Sequence, residues 1–194
     1  MDLMEIFEIF SLVTGIVYLI LEIRQRNFMW IVGILTAAAA IVVFARQGLY
    51  ASMSLNVYYV AISFKGLVDW RRDGGKVAEE HGESLHLRKI SAAGLAVSAA
   101  AAVLGTVLLY FILQMLGDPS SWLDAAVTVL SAVATWWLSR SIPQQWLLWI
   151  VADSLSAWLC LSQGMHWMTV LYAAYTLSAV YGFYHWKKNG KYIE

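Results

Sequence analysis

Charge is scarce in this chain of 194 residues. Asp, Glu, Lys and Arg make up 13% of it, where a soluble domain carries about a quarter. The two signs balance at 13 each, which gives no electrostatic support for a nucleic-acid partner. Disorder is excluded as well, because it needs low hydrophobicity and 60% of these residues are hydrophobic. A single cysteine, Cys160, excludes an intrachain disulfide and any cysteine-cluster metal site. None of the four histidines has metal-ligand spacing with a second ligand. There is no Gly-rich phosphate loop, no Gly-x-Ser-x-Gly elbow and no His-Glu-x-x-His helix, so neither a cofactor nor an enzymatic reaction is implied. What the chain has in abundance is ten tryptophans and ten tyrosines. These residues gather at membrane interfaces and where flat ligands stack.

The scarce charges are sorted along the sequence. Ten of the 26 lie between Asp69 and Lys89. The apolar runs between charges are long enough for membrane helices, which need about 20 residues. Seven spans are predicted: Met4–Ile23, Phe28–Ala45, Leu49–Val68, Ile90–Leu116, Trp122–Leu138, Gln145–Leu161 and Met165–His185. Ser162-Gln163-Gly164 breaks the last apolar stretch in two. The runs are apolar throughout rather than alternating, which argues against a β-barrel. The N-terminus opens on Asp2, Glu5 and Glu8, where a secretory signal would be positive. Eleven of the 13 Lys and Arg residues fall on one side of these spans and only Arg46 on the other, with Lys65 inside span three. The positive-inside rule then places the N-terminus outside and the C-terminus in the cytoplasm.

The chain also matches itself. At an offset of 116, Trp30 falls on Trp146, Gln47-Gly48 on Gln163-Gly164, Tyr59 on Tyr175, Gly66 on Gly182 and Trp70 on Trp186. Eleven of the 60 positions from Ser11 to Trp70 are identical at this offset, and several are rare residues. The expected architecture is all-α, with two parallel three-helix repeats joined by one helix. Residues 1–70 form the first repeat, 71–89 a charged cytoplasmic loop, 90–117 the linking helix, 118–186 the second repeat and 187–194 a tail. Parallel repeats are a transporter architecture, with the substrate near the midplane. The linking stretch from Ser91 to Gly105 is mostly small residues, which suits close helix packing.

Polar groups inside spans are costly and mark function by default. Asp153 is the clearest. Trp146, Trp149 and Asp153 are spaced by three and four, so they share a helix face. A carboxylate beside two indoles suits a flat cation through charge, stacking and cation–π attraction. A structural alternative is an interfacial Trp pair with a locally paired Asp. In the third span of each repeat, Asn56 and Tyr59 align with Tyr172 and Tyr175, and Ser63 continues the face of Asn56 and Tyr59. These side chains could line a polar path or bond other helices. Thr36 stands near the position in span two that Ala152-Asp153 holds in span six. Glu8 and Asp124 align at the outer starts of spans one and five, where acids complement the helix dipole. Lys65 lies within snorkelling reach of the cytoplasmic surface.

These motifs together resemble the Pnu family of bacterial vitamin transporters. The strongest stretches are Gln47-Gly48-Leu49-Tyr50-Ala51, Asn56-Val57-Tyr58-Tyr59, Trp146-Leu147-Leu148-Trp149 with Asp153-Ser154-Leu155-Ser156, and Tyr172, Tyr175, Gly182 and Trp186. The resemblance implies a seven-helix fold similar to the SWEET sugar transporters, a bacterial inner membrane and a homotrimer. It implies facilitated diffusion of a vitamin, trapped after uptake by a cytoplasmic kinase. Family substrates include nicotinamide riboside and thiamine, both flat cations. Asp153 departs from the Asn that nicotinamide riboside members carry, and Thr36 departs from the matching Asn of the first repeat. A carboxylate can accept from an aminopyrimidine, so these departures lean the expectation to thiamine. Two other classes compete. One is a seven-helix receptor or retinal protein, for which a Schiff-base lysine is expected in the last span, and there is none between Met165 and His185. An intramembrane enzyme would need a nucleophile–base pair or a metal cluster, and the sequence offers no recognisable one.

Overall fold

The structure is a computed structural model that describes residues 15–47, 50–81, 85–115, 121–162, 164 and 166–193. Among the described residues there are seven helices. They are α1 (residues 15–23), α2 (Phe28–Gln47), α3 (Tyr50–His81), α4 (Ala92–Met115), α5 (Ser121–Ser139), α6 (Gln145–Ser162) and α7 (His166–Asn189). Two three-residue strands, β1 (Leu85–Leu87) and β2 (Gly190–Tyr192), pair with each other. By length and composition α4, Trp122–Ser139 of α5, and α6 can cross a membrane, and Phe28–Ala39 of α2 is a shorter apolar helix.

The chain divides into two compact units. One comprises Met1–His86 with Asn189–Ile193, the other Leu87–Lys188. In the first, α2 packs on α3. In the second, α5 packs on both α4 and α6. Helix α4 has no buried residue and exposes Val97, Val103, Leu104, Leu108 and Phe111. An apolar helix with an apolar outer surface suits lipid rather than water. Within the unit, Trp137 Nε1 donates to Ser98 Oγ at 2.9 Å, and Gly105 approaches the Val129 side chain.

Local sequence explains where the helices stop. Ser91 caps α4, its hydroxyl accepting from the Gly94 N–H at 3.0 Å. Asp124 lies in the first turn of α5, and Lys187 and Lys188 in the last turn of α7, each complementing the helix dipole. Gly164 takes φ +74° between α6 and α7, at the break expected from Ser162-Gln163-Gly164. Glu8 lies outside the described residues.

Two differences from the sequence expectation stand out. Residues 71–81 continue α3 rather than opening a loop, so much of the charged 71–89 stretch is helical. Apolar patterning could not show this, since it ends at Val68. Lys65 pairs with Asp69 at i,i+4, and Arg72 Nη2 reaches Asp69 at 3.4 Å. Lys65 is thus engaged along its own helix. The second difference is the short sheet, whose strands of three residues are below what periodicity can reveal.

Candidate functional site

Each unit is built around one tryptophan pair. In the first, the rings of Trp30 and Trp70 meet edge to face, 5.1 Å apart at 79°. Gly66 allows this, because a Cβ there would lie 2.5 Å from the Trp30 ring. In the second, Trp146 and Trp186 meet at 5.5 Å and 89°, and a Cβ at Gly182 would lie 2.8 Å from Trp146. All four indoles are essentially fully buried. Burial of aromatic surface on this scale dominates core energetics.

The turns feeding α2 and α6 also correspond. Gln25 and Ser141 both take positive φ, at 50° and 55°. Gln25 N–H donates to Glu22 O as Ser141 N–H does to Leu138 O, and Arg26 N–H to Leu21 O as Ile142 N–H does to Trp137 O. Met29 N–H donates to Arg26 O as Gln145 N–H does to Ile142 O, and Trp30 N–H to Asn27 O as Trp146 N–H does to Pro143 O. Every pair is separated by 116 residues. These turns fix the orientation of the helix faces that follow them.

On α6 the buried residues are Gln145, Trp146, Ala152, Asp153, Ser156 and Cys160. Asp153 is 8% exposed, well inside the helix and the one charged residue along it. Tyr172 and Tyr175 of α7 are half-buried in the same unit. Their rings meet edge to face at 6.0 Å. Trp149 is half-buried one turn before Asp153, and its indole Nε1 is buried without a hydrogen-bond partner. Ser156 donates its hydroxyl proton to Ala152 O at 2.9 Å. Unit 2 therefore holds Trp149, Asp153, Tyr172 and Tyr175: one carboxyl group, one spare indole donor, two phenols and three ring systems. A buried carboxylate is costly unless compensated.

Trp146, grouped with this face by its spacing, is committed to the core between Trp186 and Gly182. In unit 1, Ser63 is buried with its Oγ 3.2 Å from where a Gly33 Cβ would lie. Tyr59 and Asn56 are half-buried on the same helix, Tyr59 beside Tyr58 at 5.6 Å. Thr36 departs from the expectation. It lies on the exposed face of α2, and Ala37, the residue 116 before Asp153, holds the buried position. Two residues of unit 1 were not singled out by sequence. Tyr18 on α1 lies against Gly33, with Cε2 3.9 Å from its would-be Cβ, and Glu22 is 3% exposed. Their i,i+4 spacing on one helix face was the available signal. Among the described residues no group of three His, Cys, Asp or Glu side chains could hold a metal ion.

Over residues 5–188 the sequence matches the family described as nicotinamide mononucleotide transporter. The chain belongs to this family. It is a transporter-family protein, a multi-pass membrane protein and not an enzyme. Among its relatives, the nicotinamide riboside transporter PnuC of Neisseria mucosa is 28% identical, with 91% of this chain and 70% of that protein covered. The PnuC of Haemophilus influenzae is 25% identical over 91% of this chain and 76% of its own. A crystal structure of the vitamin B3 transporter PnuC is similar at a TM-score of 0.67 and 27% identity, covering 92% of this chain and 79% of that one.

Proposed function

We propose that this protein imports a flat cationic vitamin across a bacterial inner membrane by facilitated diffusion. The observation that carries the reading is the buried Asp153 carboxylate, which shares the interior of unit 2 with Trp149, Tyr172 and Tyr175. The relatives named for nicotinamide riboside support that vitamin as the cargo. Nicotinamide riboside carries a positive pyridinium ring, which Asp153 neutralises and Trp149 stacks on. Thiamine is the second reading. It is favoured by Asp153 itself, whose carboxylate accepts from an aminopyrimidine where an Asn would offer a mixed donor and acceptor. In unit 1, Asn56, Tyr59 and Ser63 offer hydroxyl and amide groups on one helix.

Topology and mechanism follow from sequence. The Lys and Arg asymmetry supports an outside N-terminus and a cytoplasmic C-terminus. The offset of 116 supports two parallel repeats joined by α4, as in the SWEET transporters, and the family resemblance supports a homotrimer. No coupling ion is invoked, since capture by a cytoplasmic kinase keeps the inward gradient favourable. The test is uptake of labelled nicotinamide riboside and labelled thiamine into liposomes holding the purified protein, with no Na⁺ or H⁺ gradient. Saturable uptake of one of them to the equilibrium level is expected. Uptake that requires an imposed ion gradient would overturn the uniport mechanism, and uptake of neither vitamin would overturn the substrate class.

A further inference from the structure

At three positions the two matched interiors differ in ways that compensate one another. Counting 116 residues on, Gly33 of α2 becomes Trp149 of α6, Tyr18 of α1 becomes Ala134 of α5, and Ser63 of α3 becomes Ala179 of α7. The shared hydrogen bonds and positive φ angles of the two turns fix this correspondence without reference to composition. In unit 1 the space that a side chain at position 33 would enter is bordered by Ser63 Oγ and the Tyr18 ring. In unit 2 that position carries the Trp149 indole, and the positions matching Tyr18 and Ser63 are the buried alanines Ala134 and Ala179. Close-packed interiors force such exchanges, since a bulky ring on one helix needs small partners on the others.

The exchange does more than fill volume. It moves the aromatic ring from the second helix of the unit to the first, and it brings a hydroxyl with it. The Tyr18 hydroxyl lies within electrostatic reach of Tyr59 and of the buried Glu22. Ser63 and Tyr59 face the same region from α3. From this placement we infer that Tyr18 is a substrate-contacting, specificity-determining residue: in unit 1 it supplies the flat ring that Trp149 supplies in unit 2, with Tyr59 and Ser63 as its hydroxyl neighbours. Its ligand is the same class of flat cation. Trp149 with Asp153 recognises charge and ring. Tyr18 with Tyr59 and Ser63 reads ring and hydroxyl pattern, which is where a ribosylated pyridinium and a thiazolium-linked pyrimidine differ. The inference rests on the function proposed above.

The experiment compares nicotinamide riboside and thiamine binding, by calorimetry on purified protein, in the wild type, Tyr18→Ala, Tyr18→Phe, Trp149→Ala and the transplant Tyr18→Ala/Gly33→Trp. Thermal stability is measured on the same samples. Tyr18→Ala is expected to weaken the preferred vitamin about tenfold or more and to change the ratio of the two affinities. Tyr18→Phe should keep stacking but shift the ratio, because only the hydroxyl is lost. A packing role alone would lower thermal stability and leave the ratio unchanged. Unchanged affinities in Tyr18→Ala, or equal losses for both vitamins that the stability-restoring transplant reverses, would overturn the inference. If Trp149→Ala loses binding while Tyr18→Ala does not, this inference fails and the transporter reading stands. If the wild type binds neither vitamin, both fail.

Discussion

A single methyl group at Gly66 or Gly182 should have the opposite effect from one at Gly74. All three glycines lie within helices, where replacement by Ala normally favours the helix by up to about 1 kcal/mol. At Gly66, however, the new Cβ would stand 2.5 Å from two atoms of the Trp30 ring, and at Gly182 it would stand 2.8 Å from three atoms of Trp146. Ordinary carbon contacts are about 3.5–4.0 Å, so each indole must retreat by roughly 1 Å. Neither has room. Trp30 is fully buried with Trp70 edge-on against it, and Trp146 is 1% exposed with Trp186 in the same relation. Overpacking of this kind costs about 1–3 kcal/mol. At Gly74 the nearest atoms belong to the His86 ring at 3.8 Å, an ordinary contact. Gly74→Ala should therefore gain about 0.4–1 kcal/mol. For a chain of this size each kcal/mol moves Tm by about 2–4 °C. Thermal unfolding in detergent, followed by tryptophan fluorescence, should show Gly66→Ala and Gly182→Ala melting several degrees below the wild type and Gly74→Ala slightly above it. The penalty of Gly66→Ala should shrink in a Trp30→Leu background, since the two residues in contact are coupled. Equal shifts for Gly66→Ala and Gly74→Ala would refute the reasoning.

Other outcomes follow from local geometry. Gln25 Nε2 donates to His86 O at 2.9 Å and Gln25 Oε1 accepts from His86 N–H at 2.8 Å. Gln25→Ala should cost about 1–3 kcal/mol, because buried groups lose partners, and hydrogen exchange at the His86 amide should speed up by about tenfold or more. Ser141 holds φ 55° with its hydroxyl buried and unpartnered. Ser141→Gly should raise stability by about 1 kcal/mol by relieving left-handed strain, provided its carbonyl still accepts from Arg88 N–H; a lower Tm would contradict this. Trp137→Phe removes the donor to Ser98 that ties α5 to α4. It should lower stability by about 1 kcal/mol, and in a Ser98→Ala background the further loss should be smaller.

The sequence disclosed most of the helices because an apolar run of about 20 residues fits little besides a membrane-spanning helix. The recurrence of Trp30, Gly66 and Trp70 as Trp146, Gly182 and Trp186 was legible as a repeat, but not that each set packs as a core with the glycine against the ring. The face of Trp149 and Asp153 was legible from spacing alone. Besides the short sheet, three features were hidden from it. Helix α3 runs on to His81 through charged residues, which hydropathy scores as loop. Thr36 was chosen for its polarity, and only the matched backbone turns place Ala37 inward in its stead. Tyr18 escaped notice because its importance lies in what Gly33 lacks, and an absent side chain gives no signal until a neighbour is seen occupying the space.

The central claim is that Asp153, with Trp149, binds a flat cation. Calorimetric titration tests it most directly, using the wild type and Asp153→Leu with nicotinamide riboside, thiamine and neutral nicotinamide as ligands. The account predicts saturable binding of a cationic vitamin to the wild type, little binding of nicotinamide, and about a tenfold to hundredfold loss in Asp153→Leu, equivalent to one charged contact. Binding that is unchanged in Asp153→Leu, or a wild type that takes neutral nicotinamide as tightly as the cations, would contradict it.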